Sequence, residues 1–202
     1  MTSVPLPQPR FRVSRTLRAI AVGLAVAAAA PAFADDLADA QRHIKRGQYV
    51  QAMEKVDALL RATPDDAQAR FLKGVIYSET DRPAEAIAIF TRLTEEYPEM
   101  PESYNNLAVL YARQKQYDKA RMALEMAIQA HPSYAVAYEN LGDLYAKLAS
   151  QAYARAVQLD AGSRTAKAKL ALAHELIAAP AGKPAAAVDG NGNGNGNGKP
   201  GR

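Results

Sequence analysis

The chain has no cysteine, no tryptophan and only three histidines among its 202 residues. Without a thiol there is no disulfide to hold the fold, no sulfur nucleophile and no lipid attachment at cysteine, so stability has to come from packing. His43, His131 and His174 show no metal-ligand spacing such as H-x3-H. Glycine clusters only in residues 190–198, with no following helix or lysine-serine pair to make a phosphate-binding loop. The carboxylates are scattered as on any solvated helix. No residue set supports catalysis, a cofactor or a metal, and the expectation is a protein that is not an enzyme.

An excess of charge is also missing once the chain is divided. The net charge of +4 is matched by Arg10, Arg12, Arg15 and Arg18 of residues 1–34, which contain no acid, so the remainder is neutral. A basic surface for nucleic acid is therefore not expected. The apolar run Ala19–Ala30 is twelve residues, against roughly twenty needed to span a bilayer as a helix. Arginines, a short apolar run and then Pro31-Ala32-Phe33-Ala34 fit a secretory signal peptide over residues 1–34. Cleavage is expected after Ala34, with a periplasmic or secreted product and no stable membrane insertion. At the other end, residues 180–202 carry an Ala run and a Gly/Asn tract with little to bury, and are expected to be disordered.

What the chain has in abundance is a period. Pro64, Pro98 and Pro132 are 34 residues apart, each after a helical pattern that proline cannot continue. Ala40, Gly74, Ala108 and Gly142 form a small column at the same spacing, and Ala52, Ala86 and Ala120 a second. Tyr77, Tyr111 and Tyr145 form an aromatic column in which His43 takes the first place; Val56, Phe90 and Leu124 form a large apolar one. Tyr49 and Tyr117 stand just before the second helix of their units. These columns in register resemble the tetratricopeptide repeat, W-x2-L-G-x2-Y followed by alanine, an aromatic and proline. The third unit fits best, with Tyr104 for the tryptophan, Leu107-Ala108, Tyr111, Ala120, Leu124, Ala127 and Pro132. The second departs at Arg70 and Lys73, where the family prefers apolar residues.

The resemblance implies an all-α, right-handed solenoid of antiparallel helix pairs, within a domain of about residues 35–179. Units are expected near 35–66, 67–100, 101–134 and 135–160, with turns at Gly47-Gln48, Asp81-Arg82-Pro83 and Lys115-Gln116. The fourth unit begins on schedule with Tyr138, Leu141-Gly142 and Tyr145. Tyr153, Ala156, Val157 and Leu159 then resemble a second helix arriving about five residues early. Residues 146–158 contain no Gly or Pro, so one long helix from Ala135 to about Asp160 is expected in place of a hairpin. Five residues is not a whole number of turns, which leaves open whether Tyr153 faces the core. After Gly162, Ser163 is placed to cap a last helix, 163–178, that covers the end of the stack.

In the family the first helices line a concave groove that holds a peptide, which implies an adaptor or assembly factor. The rivals are a self-associating scaffold (a homo-oligomer) joined through exposed end helices, and an accessory subunit of an envelope enzyme. Helical spacing places Leu37, Gln41, Phe71, Val75, Ser78, Glu102, Asn105, Asn106, Val109, Arg113, Glu139, Asn140, Asp143 and Lys147 along that lining. Asn106 and Asn140 recur at the period; their amides suit either a peptide backbone or a neighbouring helix. Phe71 with Val75 suits an apolar pocket or the core. The Lys/Arg/Asn cluster with which one subfamily grips chaperone C-termini is replaced here by Leu37, Gln41, Glu102 and Asn106.

Overall fold

The computed structural model describes residues 35–178, which form eight helices and, among the described residues, no strand. They are α1 (35–45), α2 (Tyr49–Ala62), α3 (Ala67–Glu79), α4 (Pro83–Glu96), α5 (Pro101–Arg113), α6 (Tyr117–Ala130), α7 (Ala135–Leu159) and α8 (Arg164–Ala178). The expected signal peptide and tail lie outside the described residues. Successive helices pack on one another, and α3 with α5 and α5 with α7 touch across units, so the first helices line one side of a solenoid.

The turns within units are built alike. Gln48 N–H donates to His43 O, Arg82 to Tyr77 O and Gln116 to Tyr111 O, each at 2.9 Å. This six-to-one bond needs a left-handed residue just before the donor. Gly47 supplies it at φ +71°, whereas Asp81 and Lys115 adopt φ of 56° and 60° with a side chain attached. Prolines at the start of α4 and α5 cost no hydrogen bond, since the first helical N–H groups have no partner within the helix. Asp66 accepts from Ala69 N–H at 2.8 Å and Ser163 Oγ from Ala166 N–H at 3.2 Å, capping α3 and α8.

The period is read out as packing. Ala52, Ala86 and Ala120 are fully buried, and Val56, Phe90 and Leu124 fill the space beside them. Phe90 lies so close over α3 that a Cβ at Gly74 would stand 2.8 Å from its ring; the small residue is required for the approach. Burying a side chain of this size contributes about 1.5–3 kcal/mol. The two departures of the second unit are compensated by charge. Arg70 pairs with Glu96 of α4 at 2.5 Å, and Lys73 reaches back to Asp57 of α2 at 2.7 Å. His43 is half-buried with its Nδ1 2.7 Å from Gln48 Oε1, while His131 and His174 are exposed.

The fourth unit contains no hairpin: α7 runs unbroken for 25 residues. The turns between units nevertheless recur, with Asp66 N–H donating to Thr63 O, Met100 to Tyr97 O, Tyr134 to His131 O and Ser163 to Asp160 O. The first three stand 34 residues apart and the last only 29. The five-residue shortfall therefore falls inside α7, where the earlier units have their turn. α8 packs back along the second half of α7.

Candidate functional site

A groove of about 280 Å³ opens where α7 crosses the turn end of α5 and α6. Its floor is apolar: Ala108, Ala120, Leu124 and Leu144 are all at most 5 % exposed, and Val109 and Ala112 stand beside them half-buried. Arg113, Asp143 and Lys147 stand exposed on its rim, and Asn140 is half-buried at its side. None of the three charged residues forms an ion pair with another described residue. Two cations and one anion around an apolar floor suit a segment that presents a modest apolar side chain with a carboxylate nearby. The cavity holds only a few side chains, so the segment has to be narrow.

Five residues expected in the lining, Val109, Arg113, Asn140, Asp143 and Lys147, meet here. Phe71, Val75, Asn105 and Asn106 do not. Phe71 and Val75 are 2 % exposed and belong to the core. α3 has units on both sides of it, so even its groove-side positions are covered, and Phe71 packs against Phe90 with ring centroids 5.5 Å apart. Asn105 is also 2 % exposed; its Oδ1 accepts from Asn140 Nδ2 at 2.7 Å, which spends both groups on tying α5 to α7. Asn106 Nδ2 donates to Glu102 O one turn earlier at 2.8 Å, a bond within its own helix. The recurrence of Asn106 and Asn140 thus hides two different roles.

Tyr117 was missed as a wall of the groove. The sequence marks it as an aromatic before a second helix, but only the crossing of α7 brings it to the site. Its hydroxyl accepts from Gln151 Nε2 at 3.3 Å, in the part of α7 that runs on past the length of the earlier first helices. Among the described residues no group of three or more His, Cys, Asp or Glu converges as a metal site would require. No helix among them is long and apolar enough to cross a membrane.

The family model described as tetratricopeptide repeat matches residues 37–101 and, overlapping them, 79–135. A tetratricopeptide repeat domain-containing protein of Arabidopsis thaliana, PYG7, chloroplastic, is 34% identical over 74 residues, which cover 34% of this chain and 25% of that protein. The match thus spans about a quarter of the relative's length. Among solved structures, pilF of Pseudomonas aeruginosa aligns with 19% identity and a TM-score of 0.55, over 72% of this chain and 69% of that one. A thermophilic TPR protein of Thermus thermophilus aligns with 19% identity and a TM-score of 0.55, over 72% of this chain and 83% of its own. The two structures share the helical solenoid. Through its repeats over residues 37–135 the chain belongs to the tetratricopeptide repeat family, whose solenoids generally serve as protein-interaction adaptors.

Proposed function

We propose that the chain is a non-catalytic adaptor or assembly factor of the periplasm that holds a narrow segment of a partner protein in the groove between α5, α6 and α7. The observation that carries this is the combination of an apolar floor with three unpaired rim charges, Arg113, Asp143 and Lys147. An apolar anchor flanked by charge is how short segments gain both affinity and register. The periplasmic reading rests on the arginine-rich start, short apolar run and small-residue close of residues 1–34.

Selection from a displayed peptide library tests the groove. Enriched peptides are expected to share an apolar residue with a nearby Asp or Glu, and to lose binding to an Arg113→Glu/Lys147→Glu variant that remains folded. Asn106→Ala, whose amide is committed to Glu102 O, should bind like the parent. Peptides that bind all three proteins equally would place the site elsewhere. Location is tested by fractionating cells and sequencing the mature N-terminus; a periplasmic product beginning at Asp35 is expected, and an unprocessed cytoplasmic one would end that part of the reading.

A further inference from the structure

One face of α7 is built to receive a helix and has none. Tyr138, Leu141, Gly142 and Tyr145 occupy the columns of Tyr104, Leu107, Ala108 and Tyr111 on α5, where Ala108 lies beside Leu124 of α6 and Lys119 of α6 stands over the Tyr111 ring, while the Tyr104 hydroxyl donates to Thr94 O of α4. On α5 the first three are at most 9 % exposed; on α7 Tyr138 is 51 % and Tyr145 49 % exposed. A Cβ at Gly142 would meet nothing within 4 Å, where one at Gly74 would strike Phe90. The face lies opposite the groove residues Asn140, Leu144 and Lys147, because positions two apart on a helix point in nearly opposite directions.

The missing helix is present in the sequence, attached in line. The second helices share an alanine, a large apolar residue four later and a smaller or apolar one three after that: Ala52, Val56, Leu59; Ala86, Phe90, Leu93; Ala120, Leu124, Ala127. α7 carries the same series at Ala149, Tyr153 and Ala156. The shortfall of five residues corresponds to Gln114–Asp118 of the third unit, its three-residue turn and the first two residues of α6. α7 is therefore the first and second helix of one unit fused end to end. A straight helix cannot lay its second half on its first, so the two complementary halves are held apart within one chain.

We propose that a second copy of this chain supplies the missing helix, the two α7 helices pairing antiparallel about a twofold axis near Lys147. Within a unit the two helices are antiparallel, and an antiparallel α7 pair reproduces that arrangement twice. Ala149, Tyr153 and Ala156 of each copy then lie on Tyr145, Gly142 and Tyr138 of the other, so Tyr153 sits over Gly142 as Phe90 sits over Gly74. All six residues follow at intervals of three and four, which puts them on one stripe of the helix. A self-complementary stripe gives an isologous contact that closes at two copies. α8 covers only part of the stripe: its Lys169 Nζ stands 5.7 Å from the centre of the Tyr153 ring, and a cleft of about 250 Å³ lined by Ala149 and Tyr153 of α7 and Leu172 and Leu176 of α8 stays open. Leu172 and Leu176 are 63 % and 58 % exposed on its edge, where a second α7 would cover them.

Light scattering after size separation of the full chain, across a wide concentration range, should give a dimer. Inserting Gln-Lys-Gln-Tyr-Asp after Lys147 restores the turn and should halve the mass while helicity by circular dichroism is kept. Gly142→Glu, at a site open in the single chain, should do the same without any change of length. Because the chain has no cysteine, a mixture of a Gly142→Cys copy and a Tyr153→Cys copy should form a covalent pair on oxidation, and the Gly142→Cys copy alone should not. A monomeric parent overturns the proposal. So does a dimer that survives both the insertion and Gly142→Glu, or one whose mixed cysteine copies do not cross-link.

Discussion

Gly74 and Gly142 occupy one column of the repeat, yet replacing each with alanine should move stability in opposite directions. Both lie inside helices, where alanine is favoured over glycine by about 0.8–1 kcal/mol. In the single chain a Cβ at Gly142 meets nothing within 4 Å, so Gly142→Ala should raise stability by about that amount when measured at concentrations where the chain is monomeric. At Gly74 the same atom would stand 2.8 Å from Phe90 Cε1 and Cζ and 3.3 Å from Ile89 Cγ2. Phe90 is fully buried and wedged against Phe71, so its ring has nowhere to retreat. Overpacking of this kind costs about 1–3 kcal/mol, which outweighs the propensity gain; the net expectation for Gly74→Ala is a loss of about 1 kcal/mol. The third unit shows the remedy, since Ala108 there faces Leu124. Phe90→Leu in the Gly74→Ala background should therefore cost less than Phe90→Leu alone, and a double-mutant cycle in urea measures that coupling. In thermal melts a loss of about 1 kcal/mol corresponds to roughly 2–4 °C for a domain of this size. If Gly74→Ala stabilises as much as Gly142→Ala, or the cycle shows no coupling, the close approach of Phe90 is not what requires glycine.

Three further outcomes follow from particular residues. Lys115 holds a left-handed turn position that Gly47 fills in the first unit. Lys115→Gly should raise the free energy of unfolding measured in urea by about 0.5–1 kcal/mol once the strain relieved is set against glycine's chain entropy. The Tyr134 hydroxyl is buried with no hydrogen-bond partner, and burial, followed by the nearby Glu102 carboxylate, pushes its pKa up to about 12. Tyr134→Phe removes an unpaired polar group and should stabilise by about 1 kcal/mol in the same assay. Hydrogen bonds from Arg70 first and Arg92 second hold Glu96 down from 4.5 to about 2. Its contribution is present above pH 4.5 and lost as pH falls through 2, so Glu96→Gln should be the less stable protein at neutral pH, and its melting temperature should converge on that of the parent as pH falls across that interval.

The repeat was legible in the sequence because each column records a contact between helices a fixed distance apart in the chain. Gly74 with Phe90, or Ala108 with Leu124, needs only its own unit to be satisfied. The binding face was legible only in part, because exposure depends on helices from other units. α3, with neighbours on both sides, buries Ala69, Phe71, Leu72, Gly74, Val75 and Ile76 within 13 residues. α7, near the end of the stack, buries only Ala137, Leu144, Ala146 and Ser150 within 25. Helical spacing alone treats Val75 and Val109 as equivalent lining positions, and the flanking helices make one core and the other groove. The recurring asparagines divide between two roles for the same reason: Asn106 bonds within its own helix, while Asn140 takes the neighbouring-helix alternative and bonds Asn105 of α5.

By itself the sequence determined the units, their turns and the loss of one turn. Those features arise from forces acting within a few residues: proline and glycine at breaks, a left-handed residue closing a six-to-one bond, and uninterrupted helix formers through residues 146–158. Tertiary structure decided which faces stay open. The groove exists because α7 crosses the ends of α5 and α6, and the bare stripe of Tyr138, Gly142 and Tyr145 exists because a helix that does not turn cannot cover itself.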